Sequence, residues 1–197
     1  MDASAQQDDI VLMMRVREGD ESAFEVLFNR YQRPLLNFFH GLARNNNSAR
    51  DLCQETFLRV WKIRKRYHAT GSFPSYLFGV ARMIWLEYCR QQDKTWRLGA
   101  RQHEDRLHDL AADPAGCPLF QANRAELHGH IYAALDALPE EQRMVFVLRS
   151  IEGLALEDIA EILDCPVNTV RSRKILAVKK LRYLLAAVME PSGSRKD

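Results

Sequence analysis

The chain has 197 residues, 28 basic and 26 acidic side chains and a formal net charge of +2. This near balance excludes a protein that coats nucleic acid through bulk positive charge. The sequence has no secretory-signal pattern and no apolar run long enough to span a membrane, so we expect a cytoplasmic protein. From its length we expect one or two compact domains.

The N-terminal part of the chain is predicted to form two helices. The first follows Asp8 and Asp9 and is broken at Gly19-Asp20. An amphipathic pattern then resumes at Phe24, Leu27, Phe28, Tyr31 and Leu35. Pro34 is expected to kink this second helix, because proline removes a backbone hydrogen bond.

A third helix is predicted to start near Ala49, where Ser48 and Asp51 resemble a capping box. Three- and four-residue steps place one face inward: Leu52, Thr56, Phe57, Val60, Ile63 and Arg64. Another face carries Asp51, Gln54, Glu55, Leu58, Trp61 and Lys62. An exposed Leu or Trp rimmed by charges suits a helix-to-helix interface, whereas spacing alone equally allows Leu58 and Trp61 to be core residues.

A turn and an unusually aromatic helix come next. Gly71 permits a sharp turn, Ser72 can cap, and a helix is predicted from Phe73 to about Gln92. Its aromatic residues are Phe73, Tyr76, Phe78, Trp85 and Tyr88, and basic residues 64–66 precede it. Aromatic rings interleaved with cations suit unpaired bases, although Phe78, Trp85 and Tyr88 are expected in the core.

The segment from Lys94 to Ala122 lacks clear periodicity and contains Asp113-Pro114-Ala115-Gly116-Cys117-Pro118, which is typical of a linker. It separates two predicted small helical domains, residues 10–93 and 123–189, so the expected fold class is all-α. The linker can extend to about 100 Å or relax to about 30 Å as a coil. The tail, residues 190–197, is expected to be disordered.

The charge of the chain changes sign abruptly within the second domain. Residues 152–164 carry five acidic side chains and no basic one, and residues 165–189 carry six basic side chains and no acidic one. The short hinge Asp164-Cys165-Pro166 lies between the blocks. Two helices joined by a tight turn, the second wholly basic, are typical of a helix-turn-helix that enters the DNA major groove.

Helical spacing assigns faces to both helices of this motif. The apolar face of the first comprises Leu156, Ile159, Ala160, Ile162 and Leu163. The predicted inward stripe of the second comprises Val167, Val170, Ile175, Val178, Leu181 and Leu185. The candidate DNA contacts are Asn168, Thr169, Arg171, Ser172, Arg173, Lys174 and Lys179. The alternative is an ordinary solvated basic face on a bundle helix.

Residues Asp164 to Arg173 closely resemble the helix-turn-helix of the extracytoplasmic-function (ECF, group 4) sigma factors of bacteria, in the sigma-70 family. Leu138 to Arg143 and Leu148 to Leu154 resemble the same module, called region 4, which reads the −35 promoter element in that family. Two departures are Ala155, where relatives usually carry a Ser or Thr cap, and Asn168, which replaces a common Gly. Loss of a cap costs about 1 kcal/mol.

A second, independent resemblance covers Asp51 to Lys62, which looks like region 2.2 of the same family. In ECF sigma factors this helix docks on the clamp helices of the β′ subunit of core RNA polymerase, and the β subunit is a further expected partner. The resemblance therefore implies polymerase contacts for Asp51, Gln54, Glu55, Leu58, Trp61 and Lys62.

The resemblance also implies a role for the loop and helix that follow. In the family they melt and read the −10 element and capture a base turned out of the stack, which costs a few kcal/mol. The implied −10 contacts are Arg66, Tyr67, His68, Thr70, Gly71, Ser72, Phe73, Ser75, Arg82 and Met83. Many relatives carry Asn in place of Met83, and a thioether cannot hydrogen-bond base edges as an amide does.

The resemblance implies a promoter-specific initiation factor with no catalytic activity, no cofactor and no small-molecule substrate. Its implied partners are core RNA polymerase, promoter DNA and an anti-sigma factor, which in some relatives is bound to the membrane. A helix-turn-helix repressor or activator is the rival interpretation. The Asp51–Lys62 helix and its neighbouring aromatic loop argue against that rival, and metalloenzyme, phosphate-loop and nucleophile-elbow motifs are missing from the sequence. His128 and His130 do not suggest a metal site, because residues two apart on a helix do not face each other.

The four cysteines, Cys53, Cys89, Cys117 and Cys165, lie far apart and form no CxxC pair. In a cytoplasmic protein they are expected to be reduced thiols, with Cys53 and Cys89 in the core. A redox-sensing pair is the less favoured alternative.

Overall fold

A computed structural model describes residues 3–43, 45–97 and 129–189, and over these ranges the chain is helical and has no strand. The predicted all-α class is confirmed. The first half contains α1 (Ala3–Arg17), α2 (Glu21–Leu42), α3 (Asn46–Ile63) and α4 (Phe73–Arg97), with a 3-10 turn at Arg64–Arg66. The second half contains α5 (residues 129–136), α6 (Glu140–Phe146), α7 (Leu156–Leu163) and α8 (Val167–Met189), with a π-helical turn at Val147–Ile151.

The structure describes only the first residues of the predicted linker and none of the predicted tail. Helix α4 continues to Arg97, five residues past the predicted end. Residues 98–128, which hold most of the predicted linker and Cys117, lie outside the described residues, as do residues 190–197. None of the helices in the described part of the chain is both long and apolar enough to cross a bilayer.

The break between α1 and α2 lies where the sequence predicts it, but the predicted start of α1 is wrong, since the helix begins at Ala3 and includes Asp8 and Asp9. Asp20 caps α2, because its carboxylate accepts a hydrogen bond from the Ala23 N–H at 3.0 Å. The same carboxylate accepts one from Arg15 at 2.9 Å. These bonds, the Ala23 amide first, lower the pKa of Asp20. Helix α2 continues through Pro34 for another two turns.

The predicted cap of α3 is wrong by three residues. Asn45 is the N-cap, since its side-chain oxygen accepts from the Ser48 N–H at 2.6 Å. The Ser48 hydroxyl instead lies 3.0 Å from the Tyr88 hydroxyl of α4. An Asn three residues before that amide satisfies the cap, which leaves Ser48 free to join α3 to α4.

The first four helices enclose a core of aliphatic and aromatic side chains. Phe38 of α2 packs edge to face on Phe78 of α4, with ring centroids 5.4 Å apart. A buried carboxylate ties the first helix to the second: Asp9 pairs with Arg30 and accepts a hydrogen bond from the Tyr31 hydroxyl. Such a charge is tolerated in a core because its oxygens are satisfied.

The turn between α7 and α8 is short and lies where the sequence predicts it. Helix α7 ends at Asp164, which adopts left-handed φ and ψ angles of +50° and +53°. The Cys165 N–H bonds the Ala160 carbonyl at 3.1 Å, which closes the helix end. Helix α8 begins directly after Pro166, and Ala155 provides no side-chain cap for α7.

One residue of the predicted inward stripe of α8 is wrong. Ile175 is 61% exposed, whereas Val170, Ala177 and Leu181 are buried. At 100° per residue, a step of five from Val170 carries Ile175 about 140° away from the inward face, and a step of seven brings Ala177 back to it.

The two halves of the molecule share one continuous core. Val145, Val147 and Ile159 of the second half lie in the same buried cluster as the residues of α1 to α4. Helix α7 packs on α4, while α6 and the π-helical turn pack on α2. A smaller cluster joins α5 to α8 through Leu135, Leu138, Ala177 and Leu181, with Ala134. The second half is therefore held directly against the first in this arrangement.

Candidate protein and nucleic-acid interfaces

The outer face of α3 presents most of the side chains predicted to contact a protein partner. Asp51, Gln54 and Lys62 are exposed, and Leu58 is 45% exposed, which removes the alternative that it is a core residue. Trp61 is half-buried: its ring lies 5.1 Å from that of Phe24. The Arg64 guanidinium stacks over Trp61 at 4.2 Å and holds the ring in place.

A groove between α2 and α3 runs beside this face. Its lining is largely aromatic and aliphatic, and its rim is polar: Glu21, Phe24, Phe28, Gln32, Leu36, Arg50, Cys53, Gln54, Phe57, Leu58 and Trp61. An apolar floor with a charged rim is the architecture of a protein-binding surface. The sequence analysis did not assign the α2 wall to this surface. The signal that could have indicated it is a second row of apolar residues on α2, Phe24, Phe28 and Leu36, which are only half-buried.

Glu55 is less available than the other predicted residues of this face. It is paired with Arg59 at 3.1 Å, and Arg59 also bridges to Glu87 of α4 at 3.2 Å. The hydrogen bonds that Arg59 donates to Glu87, and then those to Glu55, raise the pKa of Arg59. Glu55 thus helps to orient α3 against α4.

The residues predicted to contact the −10 strand divide into exposed and covered groups. Arg66, His68, Thr70 and Met83 are exposed; Gly71, Ser72 and Arg82 are half-buried; Tyr67, Phe73 and Ser75 are buried. Tyr67 packs on Tyr76 at 4.9 Å, and its hydroxyl has no hydrogen-bond partner among the described residues. Burial raises the pKa of Tyr67. The buried members support the loop, and in this arrangement a base cannot reach them.

Helix α7 covers one side of this loop. The Ser75 hydroxyl donates to the Asp158 carboxylate at 2.8 Å, and the Ser72 hydroxyl does so at 3.0 Å. Ser72 also caps α4, as predicted, by accepting from the Ser75 N–H at 3.2 Å. The Arg82 guanidinium donates to the Ile162 carbonyl at 3.3 Å. The role of this loop in binding DNA stays a prediction.

The candidate −35 contacts lie together along α8. Asn168, Arg171, Ser172 and Lys179 are exposed, and Thr169, Arg173 and Lys174 are half-buried. Arg171 donates to the Asn168 side chain at 3.0 Å, and Arg173 pairs with Glu141 of α6. A shallow groove on this face is lined by Leu156, Arg171, Lys174, Ile175, Val178, Lys179 and Arg182. Arg182 is a cation of this face that the sequence analysis did not single out.

Three of the four cysteines fall within the described residues, and all three are free thiols. Burial raises the pKa of Cys53 and of Cys89 to about 11. These two are therefore poor nucleophiles at neutral pH. Cys165 is half-buried at the helix-turn-helix, 3.5 Å from the Arg173 guanidinium.

Both halves match models of known domains. Residues 27–95 match "Sigma-70 region 2" and residues 128–181 match "Sigma-70, region 4". The ECF RNA polymerase sigma-E factor of Haemophilus influenzae is 30% identical over 192 residues, covering 93% of this chain and 98% of that protein. RNA polymerase sigma-H factor of Pseudomonas aeruginosa is 30% identical over 173 residues, covering 85% and 89%.

Two solved structures share the fold. CnrH in complex with the cytosolic domain of CnrY has a TM-score of 0.69 at 23% identity, covering 91% of this chain and 98% of that chain. The sigma factor RpoE of Bartonella quintana, in complex with the anti-sigma factor NepR, has a TM-score of 0.69 at 22% identity, covering 83% and 96%. With a groove beside α3, a basic α8 after a tight turn, and relatives that align along nearly their whole length, the chain belongs to the ECF sigma factor family.

Proposed function

We propose that this protein, as a group 4 ECF sigma factor, binds core RNA polymerase through the α2–α3 groove and directs it to promoters through two DNA-reading surfaces. The observation that carries the proposal is the presence in one chain of an apolar, charge-rimmed groove and a separate helix-turn-helix with an acid-free second helix. A repressor needs only the second of these surfaces.

The polymerase-binding surface is proposed to be the exposed part of α3 together with the groove wall on α2. Trp61 is held by Phe24 and Arg64, so its ring is ordered before a partner arrives, and Leu58 is exposed beside it. A rigid tryptophan is typical of the residues that dominate binding energy. Asp51, Gln54 and Lys62 would form the polar rim against the β′ clamp helices.

The promoter-reading surfaces are proposed to be the loop after α3 for the −10 element and the exposed face of α8 for the −35 element. Arg171 is the strongest candidate for direct base reading, since it is exposed near the N-terminal end of α8 and a guanidinium can bond guanine bidentately. Lys174, Lys179 and Arg182 suit phosphates. We take residues 10–93 and 123–189 as the two functional domains.

Control by an anti-sigma factor is part of the proposal. The two solved relatives were captured with a cytosolic domain or an anti-sigma factor, and the exposed groove of this chain offers such a partner a surface. We further propose that the protein acts in the cytoplasm and has no catalytic activity, the polymerase performing the chemistry.

The proposal is tested by adding the protein to core RNA polymerase freed of other sigma factors and sequencing the 5′ ends of transcripts made from fragmented genomic DNA of the source bacterium. Initiation at a small set of sites that share two spaced motifs is expected. No initiation, together with sequence-specific duplex binding by the protein alone, would instead establish the repressor or activator function.

A further inference from the structure

Asp9 of α1 is a buried carboxylate to which the proposed function gives no role. Its side chain is 1% exposed, pairs with Arg30 and accepts a hydrogen bond from the Tyr31 hydroxyl. The segment that matches region 2 begins at residue 27, so α1 lies before it. A charge in the core of the first half is thus supplied by a helix outside the matched segment.

Stability of the fold is a weak reason for a carboxylate at this position. A buried ion pair costs desolvation, and well-packed apolar residues of similar volume often stabilise a core as well or better. The carboxylate adds direction, because a hydrogen bond fixes the position of the donor oxygen. Burial, and then the hydrogen bond to Asp9, raise the pKa of Tyr31, so the hydroxyl stays protonated and remains a donor. Asp9 therefore holds the Tyr31 ring in one position.

The Tyr31 ring contacts one end of the loop that follows α3. It packs edge to face on Phe73, the first residue of α4, with ring centroids 5.2 Å apart. Phe73 lies 6.3 Å from Tyr76, and Tyr76 packs on Tyr67 at 4.9 Å. Tyr67 and Phe73 stand at the two ends of the loop. The four rings form a continuous aromatic row that joins these ends.

Asp9 also acts on the other end of the loop. Helix α1 packs on the 3-10 turn at Arg64–Arg66, which leads directly into Tyr67, and on α4. Burial, and then the negative charge of Asp9, raise the pKa of Tyr67. The carboxylate is thus bonded to the ring that supports Phe73 and lies within electrostatic reach of Tyr67.

The loop presents its candidate DNA contacts between these two ends. His68 and Thr70 are exposed, whereas Tyr67 and Phe73 are buried and cannot touch a strand in this arrangement. The buried pair can act only by setting the shape of the backbone between them. A loop that is held in its binding shape loses less conformational entropy when its ligand binds.

We propose that Asp9 is a positioning residue for promoter opening, which acts through Tyr31 and the aromatic row to hold the loop in the shape that receives the unpaired −10 strand. The inference rests on the proposed function of the loop. It gives α1 a part in promoter opening that requires no contact between Asp9 and DNA.

The test compares promoter opening by holoenzymes that contain the parent protein, Asp9→Asn or Tyr31→Phe. Each is added at saturating concentration to a promoter mapped by transcript 5′-end sequencing, and permanganate reactivity of the −10 thymines is followed over time. Asp9→Asn removes the charge, and Tyr31→Phe removes the hydroxyl but keeps the ring. Each is expected to slow opening by about fivefold or more, because a hydrogen bond to a charged group is lost.

Three further readouts separate positioning from a general loss of stability. Affinity for core polymerase should stay within about twofold of the parent, since neither residue lines the α2–α3 groove. Hydrogen exchange of the 67–72 amides should quicken in both variants, while that of the 50–62 amides of α3 should not. In the double variant the two effects should not add, because both changes break the same bond.

Leu42→Val is the matched control. It truncates a buried residue of the same helix as Tyr31, about 16 Å further along the axis. It should weaken the core without altering the loop, so opening should stay within about twofold of the parent. Should Asp9→Asn fail to fold, Tyr31→Phe against Leu42→Val decides the question alone.

Opening by Asp9→Asn and Tyr31→Phe at the rate of the parent would overturn the inference, as would an equal loss of opening in Leu42→Val. If the parent holoenzyme opens the promoter in those cases, only the positioning role of Asp9 is refuted. If the parent protein and core polymerase open no promoter, the proposed function itself fails, and this inference fails with it.

Discussion

The Trp85 indole N–H of α4 donates to the Glu140 carboxylate of α6 at 2.6 Å, a charge-assisted hydrogen bond between the two halves of the molecule. Trp85 is 5% exposed, so the bond lies at the edge of the shared core rather than in open solvent. It fixes the start of α6 against the middle of α4, while Asp158 holds α7 against the loop that follows α3.

We expect this bond to couple the stability of the two halves. In a double-mutant cycle with Trp85→Phe and Glu140→Gln, urea unfolding should give a coupling free energy of about 1–2 kcal/mol, since hydrogen bonds to charged groups contribute in this range. The same cycle with Trp85→Phe and exposed Glu157→Gln should give no coupling. A coupling free energy near zero in the Trp85–Glu140 cycle would show that the bond is not formed in solution.

Leu58→Ala and Trp61→Ala are expected to weaken binding to core RNA polymerase by about tenfold or more each, as anchors of an interface do. Helical content should be retained, because Leu58 is 45% exposed and Trp61 only half-buried. Val11→Ala, a truncation of an exposed aliphatic residue on α1, is the control. Fluorescence titration with labelled polymerase measures the affinities. An unchanged affinity in both variants would mean that the groove is not the polymerase-binding surface.

Arg171→Ala should reduce binding of the holoenzyme to a mapped promoter by about 1–3 kcal/mol and relax the sequence preference at one position of the −35 element. The bond to Asn168 holds the guanidinium over the exposed face of α8. Competition with promoter duplexes substituted at each −35 position provides the measurement. A loss that is equal for every duplex would make Arg171 a phosphate contact rather than a reader of bases.

His68→Ala together with Thr70→Ala is expected to spare holoenzyme assembly and to impair promoter opening, because both residues are exposed at the proposed −10 loop. Permanganate reactivity of thymines near the start site reports opening. Phe73 is unsuitable for this test: it is 1% exposed and packs on Tyr31 at 5.2 Å, so its removal would disturb the fold. Normal opening by the double variant would refute the placement of the loop.

The stability of the protein should fall as pH rises through neutrality because of Glu152. Burial raises the pKa of this carboxyl from 4.5 to about 7, although a hydrogen bond from Asn37 opposes the shift. Its contribution is full below the unfolded pKa near 4.5 and is lost as pH rises through 7. In urea unfolding, Glu152→Gln should therefore be more stable than the parent at pH 8 and nearly equal to it at pH 5. Glu157→Gln, an exposed control, should show no such pH-dependent difference from the parent. Parallel pH profiles of stability for the parent and Glu152→Gln would contradict the raised pKa of Glu152.

The features that the sequence predicts correctly are those set by residues close together in the chain. The inward face of α3 follows from three- and four-residue steps, and Leu52, Thr56, Phe57 and Val60 are all buried. The turn at Asp164 follows from chemistry confined to a few residues. The wrong assignment of Ile175 arose from a step of five, which no helical face allows.

The contact between the two halves could not be predicted in this way. Ser75 and Asp158 are separated by 83 positions, and no local pattern links a hydroxyl on one helix to a carboxylate that far along the chain. The close approach of Gly41 to Val147 could not be predicted either, since a glycine within a helix does not by itself indicate a close contact with another element. The α2 wall of the groove was missed for the same reason: it depends on which helix packs beside α3.

The most direct test of the central claim is a footprint of the holoenzyme on a promoter that has been mapped by transcript 5′-end sequencing. It is compared with the footprint of the protein alone and with that of the core polymerase alone. We predict two protected segments upstream of the start site and permanganate-reactive thymines at the −10 element only when both components are present. Equal protection by the protein without polymerase, with no reactive thymines, would contradict the account.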